Sequence, residues 1–135
     1  MRKFYCLGLL MLLSMALCGG TVMAQEVTVD NIVYEIRDDS TAAVTKGDSA
    51  TGDVVIPAEV EYQGIKYPVV YIDAYAFMDN TAITSVKLPA SVNRLGQCPF
   101  FGCTSLVSIT GGADTFDYIG YLPLYKTPLL ANIPA

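Results

Sequence analysis

The chain has no histidine and no tryptophan. Without imidazole it lacks the commonest general base, the usual partner of a serine or cysteine nucleophile, and the nitrogen ligand of most zinc sites. It also has no G-x-S-x-G elbow, Walker loop or dinucleotide fingerprint, so neither a catalytic residue nor a cofactor is expected. Basic residues are few, eight Lys/Arg against thirteen Asp/Glu, and they form no run. That pattern argues against nucleic acid and anionic lipid as partners. Carboxylates gather in RDDS (37–40) and GDSATGD (47–53), but neither stretch has the D-x-D-x-D-G spacing of a calcium turn, so both read as solvated loops and no metal site is expected. Cysteine is sparse as well. Cys6 and Cys18 lie in the N-terminal apolar run, which leaves Cys98 and Cys103 without the C-x-x-C spacing of a redox pair.

The single long apolar run is FYCLGLLMLLSMALC (4–18). It falls short of the ~20 residues of a spanning helix. Arg2 and Lys3 precede it, and GGTVMA follows with Val22 and Ala24 as small residues at the −3 and −1 positions. That order predicts a secretory signal peptide over 1–24, cut after Ala24. The mature chain would carry no transmembrane helix. It would keep six Lys/Arg against thirteen Asp/Glu, a net charge of −7. Its 111 residues suffice for one small domain.

What the chain does contain is repetition. AFMDNTAITSV (76–86) lies over PFFGCTSLVSI (99–109), and IDAYAF (72–77) over LGQCPF (95–100), both at an offset of 23 residues. A third copy follows once one residue is inserted. Ile119, Leu124, Thr127 and Leu130 then fall beneath Leu95, Phe100, Cys103 and Leu106. A fixed period of 20–30 residues marks a solenoid, whose units bury their apolar faces only by stacking. Within one unit, ITSVKLP (83–89) has the L-x-x-L-x-L spacing, with Val86 and Leu88 inward and Ser85 and Lys87 outward. Phe77, Phe100 and Leu124 form an apolar spine. Asn80, Cys103 and Thr127 form a turn column, which makes Cys103 a buried free thiol rather than half of a disulfide. Prolines at 57, 68, 89, 99, 123 and 128 exclude an amphipathic helix pair.

Residues 27–70 are strand-rich. VTVDNIVYEI (27–36) reads as one strand with TAAVTKG (41–47) as its partner, and EVEYQGIKYPVVYI (59–72) as a hairpin around Gly64. That hairpin accounts for the longer offset, 32 residues, between Val54 and Val86. The expected organisation is a signal peptide (1–24), an N-terminal strand-rich cap with a hairpin (25–71), and leucine-rich repeats (72–135), the last incomplete. The fold class is mainly β: a short leucine-rich-repeat solenoid of about three coils of 23–24 residues.

VVIPAEVEYQGIKYPVVYIDAYAF and VKLPASVNRLGQCPFFGCTSLVSI resemble the BspA-like family of bacterial leucine-rich repeat proteins over about residues 53–130. The resemblance implies that fold, secretion and surface binding. Departures are Pro99 in place of a small residue, TGG (110–112) where KLP (87–89) stood, and Leu124 and Lys126 for the usual Phe and Gly. The second strand is therefore expected to be cut short. The chain stops at ANIPA, where Ile133 and Pro134 look like the start of another strand. A truncated product is the expectation, and closure by another molecule the alternative.

The functional expectation is a secreted or cell-surface, non-catalytic binding or adhesion module, with the periplasm as an alternative compartment. Its partner would be an extracellular matrix or host surface protein, or a glycan. The alternative is a structural capping or spacer segment of a longer surface protein. The candidate contact residues are the outward strand positions Ser85, Lys87, Ser108 and Thr110. A cluster of Tyr62, Tyr67, Tyr71 and Tyr75 is a second possible patch, although tyrosines more often just cover a sheet.

Overall fold

The structure is a computed structural model that describes residues 25–128. The signal segment and the repeat positions Leu130, Ile133 and Pro134 lie outside the described residues. The chain first makes a hairpin of β1 (Gln25–Val29) and β2 (Ile32–Ile36). Residues 27–36 are thus two antiparallel strands and not one. The turn residues Asp30 and Asn31 both have positive φ, 50° and 64°. Asp and Asn tolerate this left-handed conformation, which a two-residue hairpin turn requires. The sequence carries the trace of the turn. Apolar residues fall on odd positions (Val27, Val29) before it and on even positions (Ile32, Tyr34, Ile36) after it. β3 (Ala42–Lys46) then pairs antiparallel with β2.

From β3 onward the chain coils, and two parallel ladders grow side by side. In one, β3 pairs with the end of β6 (Ile65–Ile72), β6 with β8 (Arg94–Leu95), and β8 with β10 (Tyr118–Ile119). In the other, β4 (Gly52–Val55) pairs with β7 (Ile83–Leu88) and β7 with β9 (Ser108–Gly111). The result is a mainly β solenoid of about three turns. β3 and β4 are already rungs, so the ladders begin upstream of Ile72. The first coil hides its period because β5 (Glu59–Tyr62) is inserted as a hairpin against the first half of β6, around Gln63 and Gly64. Val54 pairs with Val86 across this insertion, at the offset of 32 read from the sequence.

The later coils keep strict register. Ser85 pairs with Ser108 and Tyr71 with Arg94, both 23 apart, whereas Arg94 pairs with Tyr118, 24 apart. The inserted residue of the third copy therefore lies between β9 and β10. The corner hydrogen bonds repeat the same count. Tyr75, Phe77 and Asp79 donate their N–H groups to the carbonyls of Gln97, Pro99 and Phe101. Cys98, Phe100 and Gly102 donate in turn to Tyr121, Pro123 and Tyr125, one residue further on. Two left-handed backbone positions recur in each corner: Tyr75, Cys98 and Leu122 (φ 60°, 47°, 48°), then Asp79, Gly102 and Lys126 (φ 58°, 73°, 59°).

Between the ladders lies one apolar interior. Ile72 from one ladder and Ile83, Val86 and Leu88 from the other meet Phe77, Val92, Phe100 and Leu106 there. Phe77 and Phe100 are fully buried and stacked, 5.4 Å between centroids and 11° between planes. Gly47 continues their column, since a Cβ there would strike the Phe77 ring, and Leu124 packs partly buried at the other end. Each fully buried large side chain contributes about 1.5–3 kcal/mol, so this spine is a main source of cohesion between coils. β9 is shorter than β7, four residues against six, and leaves the ladder through Gly111 and Gly112.

Candidate functional site

Alternation along β7 divides its residues between interior and solvent. Ile83, Val86 and Leu88 are buried, Ser85 is half-buried and Lys87 is exposed. On β9, Ser108 is half-buried and Thr110 exposed. Register places Ser108 beside Ser85 and Thr110 beside Lys87, while Asp53 and Val55 of β4 extend the two rows. The four residues singled out from sequence therefore share one face. Asp53 orders that face. Its Oδ1 accepts hydrogen bonds from Ser85 Oγ at 2.7 Å and Thr84 Oγ1 at 3.2 Å. Such a face offers hydroxyls, one ammonium and the exposed Val55.

The four tyrosines do not form one patch. Tyr62 and Tyr67 lie on the β5–β6 hairpin, opposite Ile65 and Val60 respectively. Tyr75 sits at a corner and is exposed. Tyr71 belongs elsewhere, because it lies on the β6–β8–β10 ladder beside Arg94, and Arg94 lies beside Tyr118. Arg37, from the turn after β2, places its guanidinium 4.7 Å from the centre of the Tyr71 ring. Its Nη2 also approaches Asp73 Oδ2 at 3.5 Å. Burial, with Asp73 nearby, raises the Tyr71 pKa above its ordinary value, so the ring stays neutral. Arg37, Tyr71, Arg94 and Tyr118 line a cleft of about 390 Å³ with Asp39, Thr41, Val70 and Asp117. Sequence reasoning missed this cleft. Arg37 lies outside the repeats, and two-residue strands such as β8 and β10 are too short to show alternation.

The turn column is structural. Asn80 Nδ2 donates to the carbonyls of Gly47 and Ala50 at 2.8 Å each, and Oδ1 accepts from the N–H groups of Ala82 (2.9 Å) and Ile83 (3.2 Å). Cys103 repeats one of these bonds, with Sγ donating to Phe77 O at 3.0 Å. Thr127 Oγ1 bonds within its own coil, to Leu124 O at 2.7 Å. Cys98 and Cys103 are both free and buried, and burial pushes the Cys103 thiol up to about 11, which keeps it protonated and unreactive. The carboxylate loops are also locally engaged: Asp39 accepts from the Thr41 hydroxyl and N–H, and Asp48 lies 3.5 Å from Lys46 Nζ. The Thr41 hydroxyl, with smaller help from its N–H and Arg37, holds the Asp39 carboxyl below its ordinary range.

Stacked coils with parallel ladders, an aromatic spine and an Asn-type turn column define a leucine-rich repeat solenoid. Residues 65–134 match the BspA type leucine-rich repeat region (6 copies), and the chain belongs to that family. Solved structures agree. A leucine-rich repeat protein from Bacteroides capillosus is 33% identical, with a TM-score of 0.66 over 73% of each chain. A leucine-rich cell surface protein from Faecalibacterium prausnitzii is 26% identical, with a TM-score of 0.67 over 82% of this chain and 32% of its own. The Treponema pallidum (T. pallidum) leucine-rich repeat protein is 28% identical, with a TM-score of 0.62 over 76% of this chain and 46% of its own. This chain thus spans less than half of the latter two. No curated protein matches it.

Proposed function

We propose that this chain is an exported, surface-displayed and non-catalytic binding module that makes broad, weak contact through the outward face of β4, β7 and β9. The observation that carries the reading is the register that sets Ser85 beside Ser108 and Lys87 beside Thr110, next to inward residues already committed to packing. Flat faces of small hydroxyls give little affinity per copy, because few side chains are anchored in pockets. Display in many copies converts weak contacts into attachment through effective concentration. The similarity to a cell surface protein supports surface display. An extracellular matrix or host surface protein, or a glycan, fits such a face.

A spacer role is the second reading. It is favoured by the Asp53–Ser85 bond, which already engages one of the four candidate side chains. Beads coated with the mature chain separate the two when tested on a panel of matrix proteins and glycans. The binding reading expects attachment that falls about tenfold or more when Ser85, Lys87, Ser108 and Thr110 are all changed to Glu, with circular dichroism unchanged. Attachment that survives these changes but is lost on altering Tyr62 and Tyr67 moves the site to the hairpin. No attachment to any surface leaves the spacer.

A further inference from the structure

We propose that the cleft on the β6–β8–β10 ladder binds a neutral, hydroxyl-rich ligand: one or two sugar rings of a glycan. The site is distinct from the β4–β7–β9 face and independent of it. Its base is a row in which cations and rings alternate, from Arg37 over Tyr71 to Arg94 and then Tyr118. The described residues contain two arginines, and both line this cleft. Its volume of about 390 Å³ lies at the lower end of the ~300–1,000 Å³ typical of small-molecule sites. That size suits one or two rings rather than a folded partner.

Charge selects the class of ligand. Arg37 and Arg94 stand against Asp39 and Asp117, so an anion meets two carboxylates and a cation meets two guanidinium groups. A hydroxyl both donates and accepts, so a neutral polyol can use both signs. The acceptors are already oriented: Asn93 Nδ2 donates to Asp117 Oδ2 at 2.7 Å, and Thr41 holds Asp39. Arg94, in contrast, forms no ion pair among the described residues, which leaves its planar donors for a ligand's oxygens. Tyr118 is 55% exposed and offers a ring on which the C–H face of a pyranose can lie while the tyrosine hydroxyl stays in water. Preorganised polar groups beside an open ring lower the ordering cost that usually limits weak binding.

The test uses the whole secreted chain, with saturation-transfer difference NMR and calorimetry. The probes are maltose, cellobiose, lactose and diacetylchitobiose at ~10 mM, with sialyllactose as the anionic comparator. The expected result is millimolar binding of at least one neutral disaccharide. Arg94→Ala and Tyr118→Ala should each weaken it about tenfold while the melting curve stays unchanged. Arg94→Lys, which keeps the charge but not the fork, should weaken it as well and serves if either alanine variant is unstable. The four-glutamate variant of the other face should bind the sugar normally. The proposal is overturned if no neutral disaccharide binds, if sialyllactose binds more tightly, or if binding is indifferent to Arg94 and Tyr118.

Discussion

At the scale of single residues, Asn80 and Cys103 occupy equivalent turns with unequal duties. Asn80 ties the first coil's corner to Gly47 and Ala50 and also closes its own turn, using donors and acceptors together. Asn80→Ala would leave several buried backbone groups without partners, and the expected loss in urea denaturation is about 2–4 kcal/mol. Cys103→Ala removes one weak S–H donor and should cost clearly less. The reverse order would show that the turn column is not the tie between coils. Cys103 also makes stability depend on alkaline pH. Its folded pKa, about 11, lies above the ordinary 9.0 because the thiol is buried. The folded state is therefore favoured fully below pH 9, and that advantage fades as pH rises towards 11. At about 1.36 kcal/mol per unit the loss approaches 2–3 kcal/mol. Burial likewise raises the Tyr34 pKa, and that contribution is common to every variant. Thermal melts from pH 8 to pH 11 should fall less steeply for Cys103→Ser than for the parent. Parallel curves would remove Cys103 from the account.

Among elements, the close approach of successive corners limits substitution more tightly than any strand does. A Cβ on Gly96 would run into the backbone of Asp73 and Ala74, and one on Gly120 into the backbone of Gly96 and Gln97. Gly96→Ala should thus force the coils apart, at about 1–3 kcal/mol for overpacking. Gly64 has open space around it but a φ of +79°, so Gly64→Ala should cost only the ~1–2 kcal/mol of a left-handed residue. If hydrogen exchange of the β6–β8 ladder amides is unaltered in Gly96→Ala, the coils are less tightly spaced than described. The sequence showed the β7 and β9 rungs and the β5–β6 hairpin because alternation and a turn residue mark them. It could not show β8 and β10, which are two residues each and are defined only by what lies beside them. Nor could it show that Arg37 reaches Tyr71, since that contact crosses from a turn outside the period to a strand within it. The candidate face was legible through the 23-residue period, and the cleft was not.

For the molecule as a whole, Phe100 is the central link. It stacks on Phe77, donates its N–H to Pro123 O, and lies fully buried between neighbouring coils. Phe100→Ala should cost about 3–5 kcal/mol, a large share of the ~5–15 kcal/mol that a domain possesses. A loss below ~1 kcal/mol would mean that the coils cohere without the spine. The ladders also fix how the protein bears load. Their hydrogen bonds run from coil to coil, along the axis of the stack, so tension between its two ends pulls on one rung at a time rather than shearing all of them together. Under such tension the stack yields by peeling. Each released 23-residue coil lengthens the chain by roughly 80 Å at 3.3–3.6 Å per residue. A protein tethered at one end and attached at the other would then give way in steps, absorbing a sudden pull as extension before the attachment itself is broken.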